Sequence, residues 1–237
     1  MVRNRVRIRY RKDGDLRWLG HQDLVRVWDR LLRRADVQPA MSEGFHKRPR
    51  INFPSALAVG IEGLDEVVEL ELRNERDPAD LSASLDAHAP PGLAIVAIEP
   101  MPEGAKFSQP ASAVYEIRLP ADRATAVREA VARLRPATSH PVEALTATPE
   151  VSSVESLPST VEGLEVVDDV LRMNLRLGEA GAVRPRDLLS RLGLGDLESL
   201  GLPLVRTRVE IAGEAQRTSP GLCEPARRTP FAETERP

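Results

Sequence analysis

The chain opens on strict alternation. From Arg3 to Arg11 every second residue is arginine, and Asn4, Val6, Ile8 and Tyr10 stand between. Successive side chains of a strand point to opposite faces, so this period predicts a β-strand. Val6, Ile8 and Tyr10 would face inward, and Arg3, Arg5, Arg7, Arg9 and Arg11 outward. KDGD is a turn signal, after which LRWLG completes or extends a hairpin. Over 21–36 the period changes. Leu24, Val27, Trp28, Leu31, Leu32 and Ala35 recur at i, i+3, i+4, the buried stripe of a helix that Pro39 ends. A loop, SEGFHKRPR, leads to a short strand at INF. Alternation returns in EVVELELR (66–73), with Val68, Leu70 and Leu72 inward and Glu69 and Glu71 outward. Asp77 and Pro78 are an N-cap and first helical residue for DPADLSASLDAH, and LAIVAIEP is a buried strand.

This order, β-α-β-β-α-β, is the split-βαβ or ferredoxin-like unit. A similar cycle follows. AVYEIRLP is a strand, ADRATAVREAVARLR a helix, EVVDDVLRMNLRL strands around a turn, RPRDLLSRLG a helix and VRTRVEI a last strand. The Pro-, Ser- and Thr-rich stretch at about 136–163 predicts an irregular connection. The fold class expected is therefore α+β, with two tandem ferredoxin-like (split βαβ) domains packed around a cleft. Their boundaries are 1–110 and 111–213, and 214–237 is a disordered tail.

At 237 residues the chain can bury two cores. Aromatics are scarce, so these should be built from Leu, Val and Ala. No apolar run approaches the length of a membrane helix, and no apolar segment follows the basic N-terminus as in a signal peptide. A cytoplasmic protein without membrane contact is expected. Cys223 is the only cysteine, which excludes an internal disulfide, a cysteine zinc site and an iron–sulfur cluster held by this chain alone. No cofactor and no metal are expected.

Charge changes the picture more. Residues 1–50 hold 14 Lys/Arg against six Asp/Glu, leaving 19 against 30 in the rest. Such asymmetry predicts one contiguous polyanion-facing surface on an acidic body. The arginine stripe could be that surface, because the uncovered face of a ferredoxin-like sheet can hold single-stranded RNA. Cross-strand pairing with Glu69 and Glu71 would instead neutralise it.

The loop after the first helix adds chemistry. Ser42, His46, Lys47, Arg48, Arg50 and Asn52 gather around Gly44 and Pro49. Guanidinium forks bind phosphate bidentately, and a histidine shuttles protons near neutral pH. His21 opens the first helix, where backbone N–H groups favour anions. If the loop packs against that helix, His21 and His46 meet in one cleft; otherwise His21 and Asp23 merely cap the helix and the loop is solvated. Arg26, Arg30, Ser42, His46, Lys47, Arg48 and Arg50 are the candidate RNA- or anion-binding residues. His21, Asp23 and His46 are the candidate catalytic ones.

Residues 18–63 resemble the radical SAM-linked proteins, a domain of unknown function (DUF2344). Members show a histidine–leucine–aspartate–leucine motif opening a helix, then a Gly-Phe-His-Pro-Arg-Pro loop and a Gly-Val-Glu-Ser motif. The match lies on His21, Asp23, Leu24, Arg33, Arg34, Ser42, Gly44, Phe45, His46, Arg48, Pro49, Gly60 and Glu62. Gln22 replaces the usual leucine and Lys47 the first proline of the loop. Family members are often fused behind a radical SAM enzyme or encoded beside one, near an RNase E/G-type ribonuclease. This chain lacks the CxxxCxxC motif of such an enzyme.

The resemblance implies an accessory RNA-binding or specificity protein that positions a tRNA or rRNA element for a separate radical SAM enzyme. Tandem ferredoxin-like domains also resemble CRISPR repeat-processing endoribonucleases and pseudouridine synthases. An enzyme would use His21 and His46 as acid and base for metal-independent RNA cleavage, or Asp23 as nucleophile. A third alternative is a protein-binding adaptor docking through the acidic second half.

Overall fold

The computed structural model describes residues 4–43, 45–102, 104–136, 156–178 and 181–214. The first half contains strands β1 (Asn4–Lys12), β2 (Ile51–Asn52), β3 (Glu62–Leu72) and β4 (Leu93–Pro100), with helices α1 (His21–Arg34) and α2 (Pro78–Asp86). The second contains β5 (Pro110–Arg118), β6 (Arg135–Pro136), β7 (Ser156–Leu157), β8 (Val161–Val167), β9 (Val170–Arg176) and β10 (Val205–Ile211). Its helices are α3 (Ala121–Arg133) and α4 (Pro185–Arg191). The protein is α+β, and its main sheet is eight-stranded and mostly antiparallel. The tail expected from 214 lies outside the described residues apart from Glu214, as does the part of the expected irregular connection from 137 to 155.

Strand order is β4-β1-β3-β10-β5-β9-β8, with β2 also on β3. β1 lies between β4 and β3, as the opening strand of a split-βαβ unit should. Instead of two separate sheets facing a cleft, the halves share one. β3 begins at Glu62, four residues before the alternation becomes visible, and β2 covers its edge only at Leu70 and Glu69. The bare start of β3 pairs in parallel with β10, Val205 against Glu62 and Arg206 against Gly63. Pairing satisfies an edge that would otherwise present open N–H and C=O groups.

Two apolar cores flank this junction. Val6, Ile8, Tyr10, Val68, Leu70 and Leu72 pack with Leu24, Trp28, Leu31 and Leu32 of α1 and Leu81 and Leu85 of α2. Trp28 is fully buried, edge-on to Tyr10 with ring centroids 5.1 Å apart. Each such buried leucine contributes about 1.5–3 kcal/mol. The second core gathers Tyr115, Ile117, Leu171, Met173, Leu188 and Leu197 among others.

Local signals behave as expected at α2, where Asp77 Oδ1 accepts from the backbone N of Ala79 at 2.8 Å and of Asp80 at 3.3 Å. α1 ends at Arg34, well before Pro39, with Ala35 as its C-cap and Asp36 following at a φ of 49° that no helix continues. LRWLG is no hairpin arm: Gly14–Trp18 is a 3-10 turn leading into α1. Among the described residues no helix is long and apolar enough to cross a membrane.

Candidate nucleic-acid interface

The arginine stripe is an internal layer. Register places Arg5 opposite Glu71 and Arg7 opposite Glu69. Arg5 Nε and Nη2 donate to Glu71 at 3.2 and 3.0 Å, and Arg7 Nε donates to Glu69 at 3.1 Å. Arg9 pairs with both Asp65 and Glu214. The connection from β4 to β5 covers the layer. Arg5 lies 4.4 Å from the Phe107 ring centroid and donates to the Ala105 carbonyl. Ser108 donates to Glu69 from N at 2.8 Å and from Oγ at 2.6 Å, while its Oγ accepts from Arg7 at 2.7 Å. Each of these three arginines meets a carboxylate, so the expected contiguous positive surface over the first fifty residues does not include the stripe. Arg11 pairs with Asp13, and Arg3 lies outside the described residues.

The loop after α1 is better ordered than its composition suggests. Ser42 N donates to the Arg48 carbonyl at 2.8 Å and Arg48 N to Ser42 Oγ at 3.0 Å, while Met41 bridges Pro49. Arg50 N reaches the Ala40 carbonyl at 2.8 Å, Ala40 N the Glu71 carbonyl at 2.6 Å, and Glu71 N the Arg50 carbonyl at 3.0 Å. The segment is thus a hairpin-like excursion zipped to the end of β3. Its tip presents Phe45, His46, Lys47 and Arg48 to solvent; Gly44, the expected turn residue, lies outside the described residues.

Between this hairpin, the end of α1 and the end of β3 runs a groove of about 1200 Å³. Arg33, Lys47, Arg50 and Arg73 line it together with Ser42, and Asp36, Glu43 and Glu71 offset part of their charge. Arg50 is half-buried, 3.5 Å from Glu71, and also borders a smaller cavity of about 450 Å³ with Arg5 and Lys106. Of the expected anion-binding residues the groove unites Ser42, Lys47 and Arg50. The tip carries His46 and Arg48, and the exposed face of α1 carries Arg26 and Arg30. All belong to the first half. Among the described residues Arg30, Arg34, Lys47 and Arg48 have no ion-pair partner.

Among the described residues no hydrogen bond or ring contact joins the candidate catalytic groups to one another. His21 is exposed at the start of α1, edge-on to Phe53 at 5.5 Å between centroids. His46 contacts Phe45 at 6.3 Å, and among the described residues no contact joins the two histidines. Asp23 is exposed and pairs with Arg26 at 2.9 Å, a bond that water screens. A nucleophile or a proton-transfer pair needs a partner within hydrogen-bond reach, and among the described residues the hydrogen bonds and ion pairs of His21, Asp23 and His46 include no such pair.

Sequence reasoning missed a buried polar cluster at the junction. Arg206 donates from Nε to Glu66 at 2.7 Å, makes a second bond to the same carboxylate, and reaches Ser55 Oγ at 2.9 Å. Lys12 Nζ donates to the Leu19 carbonyl at 2.9 Å. Burial opposes the charge of Arg206, but the Glu66 carboxylate beside it holds that charge more firmly than usual. Lys12 titrates below its ordinary 10.5, first because of burial, against the attraction of Glu66. Gly63 makes room: a Cβ there would sit 2.5 Å from Glu66 Cγ. A signal existed, since Lys12 and Glu66 occupy the inward parity of their strands, beside Tyr10 and Val68.

A family model described as "Uncharacterized protein conserved in bacteria (DUF2344)" matches residues 5–185, from β1 to the first residue of α4. No curated protein matches the chain.

Proposed function

The chain belongs to the DUF2344 family, and we propose that it binds RNA as an accessory, specificity-giving partner of a separate radical SAM enzyme that modifies RNA in the cytoplasm. The hairpin tip and the exposed face of α1 make the contact. Arg26, Arg30, Lys47 and Arg48 meet phosphates, and Ser42, His46 and Arg50 complete the surface. One observation carries this reading: Arg30, Arg34, Lys47 and Arg48 are exposed without carboxylate partners among the described residues, whereas Arg5, Arg7 and Arg9 of β1 each meet one. Unpaired exposed cations favour polyanions because phosphate contacts release condensed counterions. The radical SAM partner rests on the family resemblance alone.

The two halves serve in this proposal as ferredoxin-like units, 1–110 and 111–213, fused edge to edge. Each runs through two helices, each has its own core, and strand order repeats as β4-β1-β3-β2 and β10-β5-β9-β8. For the enzyme alternative, no contact among the described residues joins His21 to His46 in support of a shared acid–base site.

Gel shift of the full chain with small RNA, across a salt series and without metal, tests the function. Binding should weaken steeply with salt, and Lys47→Ala with Arg48→Ala should flatten the slope by about one unit per lost phosphate contact. Cleavage that disappears in His46→Ala would make the protein an enzyme. No shift at low salt would leave the protein-binding adaptor.

A further inference from the structure

We propose that the bound RNA is single-stranded where it passes the start of α1, with an unpaired base stacked on Trp18. This rests on the RNA-binding reading and names the class of RNA. Trp18 and Phe45 are the two aromatic side chains that the described residues leave largely exposed, at 59% and 104%. Both lie in the basic first fifty residues, whereas Trp28 is wholly enclosed. Proteins that hold single strands combine cations tracking the backbone with aromatic rings on which bases stack.

Trp18 is exposed yet held in place. The Arg17 guanidinium lies over its ring, 5.0 Å from the centroid, and is anchored by Glu62 at 2.8 Å. Gly60, at φ 86°, donates its N–H to the Arg17 carbonyl at 2.8 Å. A Cβ on Gly60 would meet Trp18 Cζ3 at 3.1 Å and Arg186 Nη2 at 3.0 Å, so the indole edge rests where only glycine fits. Arg186 is itself tied to Glu198 at 2.7 Å and to the Val59 carbonyl at 2.9 Å. One edge and one face of the indole are therefore supported, and the remainder meets solvent. A platform ordered before binding loses little entropy when a base lands on it.

Its position suits the proposed path. His21 is three positions after Trp18, a span of at most roughly 11 Å. The platform thus stands at the end of α1 where His21 meets Phe53 and the hairpin returns to the sheet. Arg26 and Arg30 follow along the helix. Val59, 47% exposed beside Gly60, makes an apolar protein surface the competing occupant.

Tryptophan fluorescence of the full chain decides, because Trp28 is buried and Trp18 is the accessible indole. Single-stranded oligouridylate should quench the emission, and a duplex of equal length should bind without quenching. Trp18→Ala should weaken oligouridylate binding by roughly tenfold or more and abolish the quench, whereas Trp18→Phe, which keeps a stacking face, should bind within about threefold of wild type. Equal quenching by duplex, or unchanged affinity in Trp18→Ala, overturns the platform. If Arg48→Ala still weakens binding in that case, the RNA reading survives without it. Absence of binding to either RNA overturns both.

Discussion

Arg7 and Arg48 lie in the same basic stretch and carry the same group, yet their surroundings are opposite. Arg7 stands on a strand, and register delivers a carboxylate directly across from it: Glu69, wholly buried, which Ser108 and Asn52 also approach. Arg48 stands at the turn of an excursion whose backbone is satisfied internally, through Ser42, while its side chain reaches solvent. A strand exports its neighbour's alternation to itself, so charge on one strand is matched by charge on the next. A hairpin tip has no such neighbour. Net charge over the first fifty residues therefore overstates the positive surface, and the part left uncompensated is the tip and the helix face.

That contrast should be visible in stability against binding. The largest effect belongs to the junction. Glu66→Gln leaves Arg206 buried without its counter-charge, which should cost about 3–5 kcal/mol in urea unfolding; a loss below about 1 kcal/mol would mean that the junction is wetter than its burial implies. Glu69→Ala removes the acceptor of Arg7 and Ser108 and should cost about 1–3 kcal/mol while making the 101–109 connection, which covers the stripe, more sensitive to protease. Retained protease resistance would show that the cover does not depend on the ion pairs.

Lys12 sharpens the comparison as a cation that is buried without its own bidentate partner. Its folded value lies below the ordinary 10.5, so between the two the unfolded chain binds more protons and stability rises with pH. Tyr10 works in the opposite direction above its ordinary 10.0, because burial raises its value. The difference between wild type and Lys12→Met isolates the lysine: thermal melts over the alkaline range should show a flatter rise in the variant. Identical slopes would refute the burial effect. The smallest change in stability is expected from Arg48→Ala, within about 0.5 kcal/mol, even as RNA affinity falls. Substantial unfolding by Arg48→Ala would place it with the structural arginines.

Legibility followed the range of the interactions. The parity of β1 and β3, the stripe of α1 and the Asp77 cap were all readable, because each depends on neighbours within a turn or a pleat. The candidate phosphate contacts were legible as a list, but their grouping was not. Nothing local in SEGFHKRPR said that Ser42 would fasten Arg48 or that Ala40 and Arg50 would clamp Glu71. Whether His21 and His46 share a cleft was not legible either; the ring contacts they make are with Phe53 and Phe45.

By itself the sequence determined which side of each element a residue occupies, since the periods of strand and helix are set by backbone geometry. It placed Trp28 inside by the spacing of its helix, and it set Arg5 and Arg7 apart from Val6 and Ile8. Tertiary structure alone decided what each side meets. Arg9 finds Glu214 from the far end of the described chain, and Arg206 closes on Glu66 across the junction. Gly60 and Arg186, from different halves, set the edge on which Trp18 stands. Such contacts join residues far apart in the chain, and no local period carries their address; only the packing of β10 onto β3 brings them within reach.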